Sequence, residues 1–253
     1  WGMDFSLKMT AANGALVAAA AVITLIAALY VAFGRSRDYG KLFDAGVIIS
    51  LSLATGAILA NNLVAMLFFW QGMWAPLFAM IRAGGGNAWK RAVRAVFTAG
   101  LADLTMILGI GFSSVAAESM TIDHMHVEHG PLGAVGYVLL AIGAIAKVGA
   151  VPFHGWLYDS SEEAPKSFMA LIPGGLNLIM GANLLSKLPG MFDLNGGSWP
   201  SLAVLVLAMG TALVSGSLSL TANTHRKLSI ALVIAEGGAL ILGATSRAGG
   251  AFA

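Results

Sequence analysis

The sequence predicts an all-α protein, a polytopic transmembrane helix bundle, because apolar runs long enough to cross a bilayer (roughly 20 residues) recur about eight times along it. Three observations carry that prediction. Of 253 residues, 58% are hydrophobic and only 10% are charged, whereas a soluble domain is about 25% charged. The mean hydropathy is +0.82, so the apolar excess must face something other than water. Lysine and arginine also collect in alternate loops, as they do when loops alternate between two sides of a membrane. A β-barrel would alternate in polarity over stretches of about ten residues, and this chain does not.

In chain order the spans are expected over Thr10–Phe33, Leu42–Ala60, Leu63–Ile81, Ala92–Val115, Pro131–Leu157, Ser167–Leu188, Trp199–Thr221 and Leu228–Thr245. Hydrocarbon offers no partner to an open backbone, so each run must satisfy its own hydrogen bonds as a helix. The loops on one side carry Arg35, Arg37, Lys41, Arg82, Lys90, Arg91, Arg94, Lys166, Arg226 and Lys227, while the other side holds Lys8, Lys187 and Arg247. That asymmetry places the basic loops in the cytoplasm and both chain ends outside, in an inner (cytoplasmic) membrane. The 32 glycines and many alanines suit close helix contact in lipid. Trp89, Trp156 and Trp199 fall near span ends, where tryptophan anchors at the interface, whereas Trp70 and Trp74 lie deeper and should pack between helices. Residues 1–253 read as one transmembrane domain, with no soluble domain or long linker. The chain opens at Trp1 without an initiator methionine or a signal-peptide pattern, compatible with numbering that starts inside a longer chain.

The absence of cysteine excludes disulfides, thiolate zinc sites and cysteine-held iron–sulfur clusters. Of the five histidines, His124, His126 and His129 share one polar loop, His225 sits in another, and only His154 lies near a hydrophobic segment. No cofactor or metal is therefore expected, and the Asp123–His129 loop reads as solvated. Gly84-Gly85-Gly86 lacks the Gly-Lys-Ser/Thr ending and preceding strand of a phosphate loop, so it reads as a flexible turn. Nothing points to nucleic acid.

Three charges stand well inside expected spans, Asp103, Lys147 and Glu236, where each costs roughly 2.5–3.5 kcal/mol to insert. Asp44 and Glu118 lie near span ends and reach water. Lys147 precedes Pro152, and the proline should kink or break the helix just after the lysine. Backbone freed inside a membrane is tolerated where it lines a wet cavity. A buried amine gives up its proton more readily, so Lys147 could act as a proton relay. It could equally be paired with a buried carboxylate that orients helices. Asp103 and Glu236 are the candidate partners, either to neutralise Lys147 or to continue a proton path. Asp103 could instead accept hydrogen bonds from neighbouring helices, and Glu236 sits beside Gly237 and Gly238, which let another helix approach. His154 follows the break, where it could relay protons towards the cytoplasm or cap the broken helix.

The stretch AKVGAVPFHGWLYDSSEEAP resembles the signature of the antiporter-like subunits of respiratory complex I, whose relatives occur in membrane-bound energy-converting hydrogenases, formate hydrogenlyases and Mrp-type antiporters. The matching residues are Ala146, Lys147, Pro152, His154, Trp156, Leu157, Asp159, Glu163 and Pro165. ANNLVAMLFFWQ (Ala60–Gln71) resembles the family's Ala-Asp-Asn-Leu…Phe-Trp-Glu segment, and THRKLSIALVIAEGG (Thr224–Gly238) its basic loop and following helix. PKSFMALIPGGL (Pro165–Leu176) resembles the hydrogenase-type relatives more than complex I itself. The resemblance implies roughly fourteen helices built as two inverted repeats of about five, each with a broken helix and a buried lysine. This chain would hold a flanking helix (1–41), the first repeat (42–190) and the start of the second (191–253).

On that resemblance the chain is a proton-translocating, less readily sodium-translocating, subunit, with other membrane subunits of a redox complex as partners. Lys147 would be the central relay, His154 would lie on its cytoplasmic side, and Asp103 or Glu236 would be its charge partner. The family's glutamate after Phe-Trp is Gln71 here, its aspartate before Asn-Leu is Asn61, and the helix after the break has no lysine or histidine near Pro173 or Leu178–Ile179. Gln71 and Asn61 would then be polar, water-organising residues. The same substitutions leave open a non-conducting structural subunit.

Overall fold

A computed structural model describes residues 5–33, 40–117, 119–128, 130–193 and 199–248, with the side chains of 102, 162–163 and 244–248 left aside. The described chain is almost entirely helical: α1 (Ala11–Phe33), α2 (Gly40–Leu59), α3 (Leu63–Gly72), α4 (Trp74–Arg82), α5 (Ala88–Ala116), α6 (Pro131–Val148), α7 (Gly155–Glu163), α8 (Lys166–Leu171), α9 (Asn177–Met191), α10 (Trp199–Leu220) and α11 (His225–Ala248). A 3₁₀ turn spans Ile122–His124, and a π turn over Ile172–Leu176 joins α8 to α9.

Among the described residues seven stretches are long and apolar enough to cross a membrane, with α3–α4 acting as one and α8–α9 as another. The eighth expected span forms the 24-residue α11. Burial sorts the spans: in the most apolar 18-residue stretch of each, 78% of the residues are buried in Lys166–Met191 and 67% in α6, against 17% in α1 and 22% in α10. The broken helices therefore form the centre. The outer ones turn Leu101, Leu104, Leu108, Val206, Met209 and Leu213 outwards, as lipid requires.

Glycine sets the close contacts. A methyl group on Gly109 of α5 would stand 2.9 Å from the backbone of Leu140 on α6, and one on Gly143 would stand 3.0 Å from Met106 Cβ. These two helices thus pack nearly backbone to backbone. Gly237 of α11 makes the same allowance for Val148, where a methyl would meet the valine at 2.6 Å.

α6 ends earlier than Pro152 alone would dictate. Gly149 adopts φ +78°, its N–H bonds Ala146 O, and Ala150 N–H bonds Ile145 O at 3.1 Å. This is the paired closure of a glycine-capped helix end. Pro152 then keeps the chain from resuming a helix until Gly155. The break does follow Lys147 directly, but glycine makes it. A second interruption, at Met73 between α3 and α4, was not expected; Pro76 lacks the N–H that would close the turn there.

At one end of the bundle short backbone bridges pair Leu7 with Ala60, Asn62 with Thr121, Ala117 with Val127, and Val127 with Phe192. They gather the lead-in to α1, the α2–α3 turn, the α5–α6 loop and the end of α9 on the side opposite Arg82 and Lys166. Arg35, Arg37, Glu118 and His129 lie outside the described residues, as does the side chain of Arg247.

Candidate buried charge site

Trp70 and Trp74 are four residues apart, so their side chains leave α3 and α4 on one face. That face meets α5, where Gly100 leaves room for the Trp74 ring: a methyl there would stand 3.2 Å from its edge. One turn further along α5 is Asp103, 1% exposed. Trp70 Nε1–H donates to Asp103 Oδ1 at 2.9 Å and Trp74 Nε1–H donates to Oδ2 at 2.8 Å. Each carboxylate oxygen is thus held by its own indole, which fixes the rotamer of the acid.

Lys147 approaches from the last turn of α6 and is 6% exposed. Its Nζ donates to Trp70 O at 3.2 Å, lies 5.1 Å from the centre of the Trp70 ring, and stands 3.9 Å from Asp103 Oδ2. That last separation is an ion pair without a direct hydrogen bond. Unit charges about 4 Å apart attract by about 4 kcal/mol at an effective dielectric near 20. Burying each ion costs several kcal/mol, so the ring face and the indole donors are needed as well.

A cavity of about 10 Å³ lies against the pair, lined by Met73, Leu77, Ala99, Asp103, Ala146, Lys147, Trp156, Ile172 and Asn177. Trp156, expected at the interface, is instead 2% exposed and donates Nε1–H to Ala146 O at 3.3 Å. Its hydrogen bond to Ala146 O places the start of α7 against the capped end of α6. Asn177, which sequence reading passed over, is buried with Oδ1 unpaired. The only sequence signal for it was an amide inside an apolar span.

The other candidates stand apart. Gln71 follows Trp70 but is absent from the cavity wall, and its Nε2 is buried without a partner. His154 makes no side-chain cap on α7; its ring lies 6.0 Å from that of Tyr158. Glu236 is exposed on α11 and borders a separate groove of about 510 Å³ with Tyr30, Lys166 and Ser229. Of the two candidate partners, then, Asp103 stands beside Lys147 and Glu236 does not. Asn61 also lies away from Lys147: its Nδ2 donates to Asp123 at 2.8 Å at the bridged end of the bundle. There Lys8 Nζ reaches the same carboxylate at 2.6 Å. Among the described residues no His, Asp and Glu gather as a metal set.

A family model described as NADH:quinone oxidoreductase/Mrp antiporter, TM matches residues 60–249. The Na(+)/H(+) antiporter subunit A1 of Staphylococcus haemolyticus is 25% identical over 212 residues, covering 78% of this chain and 25% of that protein. The NADH-quinone oxidoreductase subunit N of Alkalilimnicola ehrlichii is 27% identical over 221 residues, covering 80% and 44%. A chain of respiratory complex I from Thermus thermophilus superposes with a TM-score of 0.80 at 19% identity, over 96% of this chain and 54% of that one. This chain thus spans between a quarter and about half of these three proteins.

Proposed function

We propose that this chain, which belongs to the NADH:quinone oxidoreductase/Mrp antiporter transmembrane family, carries protons as an antiporter-like subunit of a redox-driven membrane complex. The observation that carries the reading is the buried Lys147–Asp103 pair at the break of α6, 3.9 Å apart beside a cavity. A lysine held against an acid by fixed indoles can change protonation state without moving its neighbours, and broken helices in transporters are where such groups collect. Asp103 takes the charge that Gln71 cannot supply. His154 serves the basic side of the break, and Glu236 belongs to a second path that begins on α11. Asn61 and Gln71 order polar surroundings without carrying charge. The energy would come from redox chemistry in partner subunits, and sodium is the less favoured ion. The basic loops face the cytoplasm, both described ends face outwards, and 42–190 is the first of two repeats, preceded by a flanking helix and followed from 191 by the start of the second. The likeness of Pro165–Leu176 to hydrogenase-type subunits rests on those residues alone.

A second reading, a non-conducting structural subunit, is favoured by the small size of that cavity, about 10 Å³, and by the separation of His154 and Glu236 from it. Redox-driven proton uptake into sealed vesicles, with electron transfer measured alongside, separates the two. Lys147→Ala should lower uptake per electron in assembled complex. Unchanged uptake per electron would leave the chain a scaffold.

A further inference from the structure

We propose that the cavity between Asp103, Lys147 and Asn177 is a binding site for one ordered water molecule, and that Asn177 is the positioning residue that completes it. The use of this water in proton transfer rests on the relay reading above; the site itself does not.

Three polar groups face the cavity with capacity to spare. The Lys147 ammonium has three donors, and the structure gives it one hydrogen bond, to Trp70 O at 3.2 Å. Asp103 Oδ2 accepts from Trp74 at 2.8 Å and retains further lone-pair capacity. Asn177 is 4% exposed and its Oδ1 has no partner at all. The 3.9 Å gap from Nζ to Oδ2 is too long for a direct hydrogen bond, yet one oxygen can bond to both ends of it. The volume, about 10 Å³, is about what one water needs, and three hydrogen bonds are the usual complement of a buried water. Met73, Leu77, Ala99 and Ile172 close the wall with apolar side chains, and the remaining lining residues, Ala146 and Trp156, are already bonded to each other through Trp156 Nε1–H and Ala146 O, so a second molecule would find neither room nor partner.

The backbone explains why Asn177 is there. In the π turn Ile172–Leu176 the Asn177 N–H bonds Ile172 O, one residue further back than in an α-helix. The extra residue rotates the start of α9 relative to α8 and puts Asn177 on the cavity wall. The water would accept from Lys147 Nζ–H and donate to Asp103 Oδ2 and Asn177 Oδ1. A proton can then cross the pair: a lysine N–H bond breaks as a water O–H bond forms, while the water gives its other proton to Asp103. The ammonium and carboxylate become an amine and a carboxylic acid, and total charge is unchanged. Asn177 cannot itself take up a proton, so it orders the water without competing for charge.

The test is a map that resolves waters, from protein purified out of native membranes with its companion subunits, for wild type and for Asn177→Leu and Asn177→Ser. Wild type should show one density within hydrogen-bond distance of all three groups. Asn177→Leu should lose it, Asn177→Ser should keep it, and the pH profile of proton uptake should move in the leucine variant only. A dry cavity in wild type overturns the site, and a water retained in Asn177→Leu overturns the role of Asn177. If the leucine variant does not accumulate, the wild-type and serine maps decide. Loss of the water with uptake per electron and its pH profile both unchanged removes the relay reading and leaves the water site standing.

Discussion

Lys8 and Asp123 stand 2.6 Å apart with 49% and 35% of their side chains exposed, whereas Lys147 and Asp103 stand 3.9 Å apart with 5% and 2% exposed. By distance alone the first pair is the stronger. Water reverses that order, because exposed pairs are screened and typically contribute about 0.2–1 kcal/mol. Breaking a buried pair from one side strands a charge and costs about 3–5 kcal/mol. The two pairs also differ in what surrounds them. Asp123 has the Asn61 amide and solvent, while Asp103 has two indoles and a lysine that lies over one of them. The longer pair is therefore the one whose removal should be felt.

The largest expected effect follows from that difference. Asp103→Leu should destabilise the protein by about 3–5 kcal/mol, because Lys147 and two indole donors lose their acceptor at once. Asp103→Leu combined with Lys147→Met should recover a large share, since no charge is then left buried. Thermal unfolding of the four proteins of this cycle in detergent measures it. Additive losses would mean that the pair is not coupled, and the contrast with Lys8–Asp123 would collapse.

A smaller effect tests the break that delivers Lys147 to its partner. Gly149→Ala forces an L-residue to φ +78°, costing roughly 1–2 kcal/mol, and its methyl would stand 2.8 Å from Leu157 Cδ1. The variant should lose about that much stability while Asp103→Asn at the same temperature loses more. Pro152→Ala should cost less than Gly149→Ala if the glycine closure ends the helix. Equal or greater loss from Pro152→Ala would return the break to the proline.

Much of this was legible in the residues. The spans, the charges within them and the break after Lys147 follow from hydropathy, insertion cost and local chain chemistry, which act along the sequence. The partner of Lys147 was not, since Asp103 and Glu236 are both acids inside spans, and only packing puts one at 3.9 Å and the other in a separate groove. Trp156 was assigned to the interface because its position counted from the span end; the break after Gly149 and its bond to Ala146 O bury it instead. Asn177 was missed because its placement depends on a one-residue shift in helical register, and hydropathy averages such a shift away. Asn61 matched a family position yet lies at the rim with Asp123, so a matched position says where a residue stands in the chain and not which charge it serves.

The smallest effect is expected at the exposed pair, and its pH dependence identifies it. The hydrogen bond from Lys8 holds the Asp123 carboxyl below its usual value near 3.8; partial burial pulls the other way, and the Asn61 amide adds to the lowering. A carboxyl whose folded value lies below its unfolded one contributes stability in full above about pH 3.8. That contribution fades as the pH falls through the folded value, because the folded state must then take up a proton it holds less readily. Asp123→Asn should thus cost about 1 kcal/mol or less near neutral pH, and less again at high salt, where the charges are screened. Below pH 3.8 the variant and wild type should converge. Melting curves of both proteins at low and neutral pH decide the matter. A loss at neutral pH as large as that of Asp103→Leu would show that the lead-in to α1 is anchored through this one carboxylate, and exposure would no longer rank the two pairs.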